Sequence, residues 1–156
     1  MYLKELATVA TILPFVSREN HCDLDQTGMK PLDLTGCSAF SDRISVNSAF
    51  LQPSDIYNSV FSRSLASDAL RKSYHNLDQF RSHLETFIRG ESELDYLYAY
   101  IPTIDTLAHK YGPYSREVGL EYTKIASVLS DLCDLSVATG TLCLITADHG
   151  FIRNPE

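Results

Sequence analysis

Two apolar runs, LDYLYAYIP at residues 94–102 and TLCLITADHG at residues 141–150, each lead into charged side chains, and a helix-patterned stretch separates them. A run that is apolar on both faces of its alternation fits a strand covered by helices on both sides. Strands that point the same way need a crossover between them. The stretch after Gly112 and Pro113 supplies it, with Ser115 as N-cap, one stripe of Val118, Tyr122, Ile125, Leu129 and Leu132, and Gly140 as C-cap. The pattern implies an α/β fold with a mostly parallel sheet and flanking helices.

The same grammar extends backwards along the chain. Leu77, Phe80, Leu84, Phe87 and Ile88 fall at helical intervals, with Gly90 closing the helix. Before them, ISVNSAFLQP at residues 44–53 alternates and ends in Pro53, as a strand does, and a helical turn is expected from Ser38 to Arg43. Residues 54–73 are rich in Ser and Asp and read as loop with one helical turn. Tyr2, Leu3, Leu6, Val9, Ala10 and Leu13 predict an opening helix stopped by Pro14, and the polar residues 16–35 a loop or cap. A helix and loop region at 1–35 therefore precedes a βαβαβ core at 36–156, all in one domain. An opening on a helix with no strand before it predicts a piece of a longer α/β domain.

Composition excludes several classes. With 156 residues, 44% of them hydrophobic and 21% charged, the chain is an ordinary globular one with enough length for a packed core. A net charge of −7 leaves no basic footprint for sequence-specific nucleic-acid binding. If the substrate carries phosphate, something other than surface charge must hold it. No stretch is long and apolar enough for a membrane span. The start, MYLKELATVATILPFV, has a single Lys, is interrupted by Glu5 and lacks a small-residue cleavage site, so no leader is expected and the cytoplasm is the expected location. Cys22, Cys37, Cys133 and Cys143 show no zinc-finger spacing, and the latter two are expected as buried thiols in a helix and a strand.

Chemistry gathers where parallel sheets bind ligands, beyond the carboxyl ends of the strands. In DTLAH, Asp105 and His109 are spaced to share one face of a helical turn. In TADHG, Asp148 and His149 are adjacent at the end of the next predicted strand, and Gly150 allows a sharp turn. Each pair alone is also what a solvated surface or a turn cap provides. Together, one crossover apart, they form a set of carboxylate and imidazole donors suited to divalent cations, zinc first and manganese or iron next. Two such pairs side by side suit in-line displacement at phosphorus, and bound cations answer the charge problem of an acidic protein.

YLYAYIPTIDTLAHKYGPYS and LCLITADHGF resemble two signature segments of the alkaline phosphatase superfamily, in its type I phosphodiesterase and nucleotide pyrophosphatase branch. The resemblance is specific over residues 94–153 and looser back to about residue 35. It implies a fragment of an alkaline-phosphatase-like domain and a two-metal hydrolase of phosphodiester or pyrophosphate bonds, acting on a phosphate ester or nucleotide. Asp105 and His109 would hold one zinc, and Asp148 and His149 the second. Tyr100 matches a position where nucleotide-cleaving relatives stack a ring on the base, although a core tyrosine reads the same way. The family's nucleophile, a further aspartate and a further histidine have no counterpart here. Thr103, Thr106 and Thr146 lack the expected context, so the chain alone is expected to be inactive, and the metals themselves need not stay bound. Other members of the superfamily reuse these ligands as phosphomonoesterases, phosphonate hydrolases and phosphosugar mutases. A catalytically dead α/β binding module is the rival from another class.

Overall fold

The computed structural model describes residues 2–4, 7–11, 15–34, 36 and 38–151. Two compact units divide the chain: residues 1–75 with 93–100, and residues 76–92 with 101–156.

The first unit opens with a small antiparallel meander of β1 (Tyr2–Leu3), β2 (Thr8–Thr11) and β3 (Val16–Ser17). The helix expected at the start is thus overturned: among residues 1–14, the described ones are strand or turn, and residues 1, 5, 6 and 12–14 lie outside the described set. Leu3, Val9 and Ala10 satisfy a helical spacing, but Thr8 and Ala10 are buried while Thr11 is exposed, and that alternation with β-branched side chains is the signature of a strand. Thr8 Oγ1 and Ser17 Oγ share a hydrogen bond of 2.8 Å across β2 and β3, which satisfies two hydroxyls in a buried place. Leu3, Ala10, Phe15 and Leu24 form the core here, with Met29, Leu34 and Val60 packed on it. The expected loop at 16–35 contains short 3-10 turns at Leu24–Thr27 and Pro31–Leu34, and the expected turn near residue 40 is a third, Phe40–Arg43.

A three-stranded parallel sheet completes this unit, with β4 (Ser48–Pro53) between β5 (Leu70–Tyr74) and β6 (Tyr96–Ala99). Every residue of β4 is buried, so β4 and not the more apolar β6 is the central strand. Phe50 on β4 stands in register with Tyr98 on β6, their rings 5.1 Å apart. Strand β5 replaces part of the loop expected at 54–73, after α1 (Val60–Ala66). Its sequence LRKSY is charged because it lies at a sheet edge, where Arg and Lys are tolerated and hide the apolar alternation. The exit of β6 is tied down twice: the Tyr100 N–H donates to the Leu51 carbonyl at 3.0 Å, and the Tyr74 hydroxyl donates to the Tyr100 carbonyl at 2.7 Å. Burial, then the nearby Asp55 carboxylate, pushes the Tyr74 hydroxyl's pKa well above its usual value, which keeps it a donor.

Among the described residues, three helices build the second unit. Helix α2 (Leu77–Ile88) starts at Asn76, whose side chain accepts the Gln79 N–H at 2.9 Å, and ends before Gly90, which takes the left-handed conformation at φ 70°. Helix α3 (Thr103–Tyr111) is short, and α4 (Arg116–Thr139) is the longest element. The Ser115 hydroxyl caps α4 by accepting the Val118 N–H, and Gly140 at φ 73° stops it. Both α2 and α3 pack on α4. Phe80 and Ile88 from α2, Ala108 from α3, and Val118, Ile125 and Leu132 from α4 are buried. Tyr122 leaves the expected stripe and is 61% exposed.

Residues 141–151 follow α4 without forming a strand, contrary to the expectation from TLCLITADHG. A strand needs a neighbour for its N–H and C=O groups, and among the described residues no ladder includes this segment. Leu142 and Leu144 are 82% and 83% exposed. The parallel sheet therefore has three strands, with β5 as its third member. The two cysteines expected as buried depart with the strand: Cys133 is half-buried and Cys143 exposed. No helix among the described residues is long and apolar enough to cross a membrane.

Candidate functional site

Helix α3 fixes the first pair of donors. Asp105 stands in its first turn and His109 in its last, a placement that suits the helix dipole at both ends. Their spacing brings His109 Nε2 to 3.5 Å from Asp105 Oδ1. The segment after α4 brings a second imidazole to the same oxygen: His149 Nε2 lies 3.8 Å from Asp105 Oδ1 and also 3.8 Å from Asp148 Oδ2. His149 therefore stands between the two carboxylates, and Asp148 meets the cluster through it.

These separations are too long for hydrogen bonds. Two donors on one tetrahedral zinc, each about 2.0 Å from it, stand about 3.3 Å apart, which is closer to what is seen. Asp105 Oδ1 has no hydrogen-bond partner although it is a buried atom. A carboxylate oxygen withdrawn from water without a donor is costly, and a cation is one way to satisfy it. The donor chemistry of Asp105, His109 and His149 fits such an ion. The packing around it is loose, since the side chains of His109 and Asp148 are 80% and 85% exposed. Among the described residues no three His, Cys, Asp or Glu side chains are gathered closely enough to count as a formed metal cage.

Local contacts orient the second pair. The His149 N–H donates to Asp148 Oδ1 at 3.0 Å, a turn closed by the aspartate's own side chain. His149 Nδ1 lies 3.2 Å from the Gly150 carbonyl, which can only accept, so the proton belongs on Nδ1 and the lone pair on Nε2, the atom that faces Asp105. Phe151 presses edge-on against the His149 ring, with centroids 5.7 Å apart. Sequence patterning missed Phe151, although its position two residues after His149 in an extended stretch was a usable sign. Ile104, Tyr114, Val118, Tyr122 and Phe151 line a cleft of about 530 Å³. Tyr114 and Tyr122 are both exposed on its wall.

Tyr100 belongs to the first unit, at the exit of β6, with its side chain partly exposed. Thr103 and Thr106 lie in α3, and the Thr146 hydroxyl donates to the Ala147 carbonyl at 3.3 Å.

Residues 27–156, most of the chain, match the family described as type I phosphodiesterase / nucleotide pyrophosphatase. The chain belongs to this family. The family lies in the alkaline phosphatase superfamily, and the α/β fold is consistent with part of such a domain. It is also similar to GPI ethanolamine phosphate transferase 2 of Candida glabrata, 34% identical over 68 residues that make up 44% of this chain and 8% of that protein. The chain thus spans a small part of the length of that relative. No solved structure matches it.

Proposed function

We propose that this chain carries part of the active centre of a metal-dependent hydrolase of phosphodiester or pyrophosphate bonds. Asp105 and His109 serve one divalent cation, and Asp148 and His149 a second. Zinc suits this set of oxygen and nitrogen donors best, with manganese or iron as substitutes. The observation that supports the reading most directly is Asp105 Oδ1, buried, without a donor, and approached by two imidazole nitrogens. When bound, such cations bring positive charge to an acidic chain and lower the pKa of water enough for attack at neutral pH.

The chain's own residues hold and orient. Asp105 contributes a charged oxygen already stripped of water. His149 keeps its Nδ1 proton on the Gly150 carbonyl, which fixes the tautomer and the plane of the ring. Phe151 packs edge-on against that ring and lines the cleft beside it. Tyr100 offers a ring for a nucleotide base to stack on. The family's nucleophile has no counterpart in the sequence, so in this proposal the nucleophile and the remaining ligands come from outside these 156 residues.

The similarity to an ethanolamine phosphate transferase favours a second reading, transfer of a phosphoryl-linked group to an alcohol in place of water. The same ligands serve both, and the acceptor makes the difference.

Dialysis of the chain against zinc, followed by elemental analysis and a nitrophenyl phosphodiester assay, tests the proposal. Zinc should be retained by the wild type and lost on Asp105→Ala, with no turnover from either. Equal zinc content in both would remove Asp105 from the site. Robust turnover by the chain alone would overturn the external nucleophile while leaving the metal assignment standing.

A further inference from the structure

Cys133 lies on α4 and Cys143 in the segment that carries Asp148 and His149, and their sulfur atoms are 3.9 Å apart. The approach is built by the chain around them. Gly140 in the left-handed conformation reverses the backbone, and the Thr141 N–H donates to the Ser136 carbonyl at 2.9 Å. Thr141 Oγ1 donates to the Ile88 carbonyl at 3.3 Å, which ties the same residue to the end of α2. The segment thus returns along the last turns of α4, and its second residue after Thr141 comes to rest against Cys133. On either side of Cys143, the side chains of Leu142, Leu144 and Ile145 are exposed.

We propose that Cys133 and Cys143 are a disulfide-forming pair, closed by a small-molecule disulfide such as oxidised glutathione, and that closing it pins the ligand-bearing segment 141–151 to α4. The exposed Cys143 thiolate attacks one sulfur of oxidised glutathione and releases the first glutathione thiolate. The half-buried Cys133 thiolate then attacks the Cys143 sulfur of the mixed disulfide and releases the second. Two protein thiols are oxidised, one external disulfide is reduced, and the two thiol protons end on two glutathione molecules. Contact between the sulfurs in the folded chain gives the second step a high effective concentration. This pairing stands apart from the metal reading, because it needs neither the cations nor the four ligands.

The chain contains neither Lys nor Arg between Lys124 and Arg153, so trypsin releases both cysteines on one peptide, Ile125–Arg153. After incubation of the folded chain with oxidised glutathione, that peptide should be about 2 Da lighter than its reduced form, from the two hydrogens lost. Closure in the folded chain should be at least about tenfold more favourable against glutathione than in the same chain held in guanidinium, because the fold supplies the proximity. Cys133→Ser should stop at the first step and keep a glutathione adduct on Cys143. Hydrogen exchange over residues 141–151 should slow on oxidation of the wild type and not of the variant. Adducts on both cysteines with no internal bond, or equal closure in folded and denatured chains, would overturn the pairing. Unchanged exchange in a chain shown to be closed would overturn the pinning.

Discussion

Asp105 and His109 stand on a helix, whereas Asp148 and His149 stand on a stretch that has neither helix nor ladder. The first pair owes its geometry to the helical repeat itself, and α3 is held by packing on α4. The second pair owes its geometry to short-range bonds: an aspartate closing on its neighbour's N–H, an imidazole on the next carbonyl, and a phenylalanine against the ring. Local bonds of that kind orient a side chain but do not fix where the backbone runs. Two pairs with the same residue types therefore differ in how firmly they are placed, and the proposed site, assembled from both, is only as well ordered as the second.

The largest expected contrast is in stability. Leu132 is buried on α4, and Leu132→Ala should cost about 3 kcal/mol through lost burial and the cavity left behind. Leu144 is 83% exposed, and Leu144→Ala should stay within about 0.5 kcal/mol. Urea unfolding of both variants measures the difference. A large loss from Leu144→Ala would show that the segment is packed in solution and would erase the contrast between the two half-sites.

Next in size is the metal. Asp105→Ala removes the oxygen toward which both imidazoles point and should weaken zinc binding about 100-fold, roughly 2.7 kcal/mol. Asp148→Ala removes an 85% exposed side chain already engaged with the His149 backbone N–H, and should cost only about tenfold. Competition with a chromophoric chelator gives both values. Equal losses would mean that the second half-site is as firmly placed as the first.

A smaller effect tests the support of α4, from which the second half-site departs. Ser115→Ala deletes the hydroxyl that accepts the Val118 N–H and should destabilise the fold by about 1 kcal/mol. Thermal or urea unfolding reads it, and Ser115→Asp, which keeps an acceptor, should restore most of the loss. No loss in the alanine variant would mean that water replaces the cap.

Much of this was legible in the sequence where a local rule decides the outcome. Helices α2 and α4 announce themselves by apolar spacing, by Ser115 as a cap and by Gly90 and Gly140 as stops, and the Asp105–His109 spacing predicts their encounter because a helix needs no partner to set it. Strands were read less well, since a strand is defined by what lies beside it. LRKSY is hidden by its edge position and the opening strands by a spacing that helix and strand share, and apolarity alone does not show that β4 and not β6 is the central strand. TLCLITADHG carries the strand pattern without a paired neighbour among the described residues. The contact of Cys133 with Cys143 was illegible for a related reason: with one thiol assigned to a helix and the other to a buried strand, nothing in their spacing announces that the chain turns back at Gly140.

The smallest effect bears on that turn. Burial first, and then the contact with Cys133, raises the Cys143 thiol above its ordinary pKa. A raised pKa leaves less thiolate at a given pH, so at mildly alkaline pH iodoacetamide should alkylate Cys143 a few-fold more slowly than an unstructured cysteine peptide. The gap should close as the pH climbs past the raised pKa, where both thiols are ionised. Cys133→Ala removes the sulfur contact and leaves burial, so it should recover part of the rate but not all of it. Peptide mapping of the alkylated chain separates Cys143 from the other thiols. If Cys143 reacts at the rate of the free peptide throughout, the segment does not lie along α4 in solution, and the second half-site is free of the helix that is meant to position it.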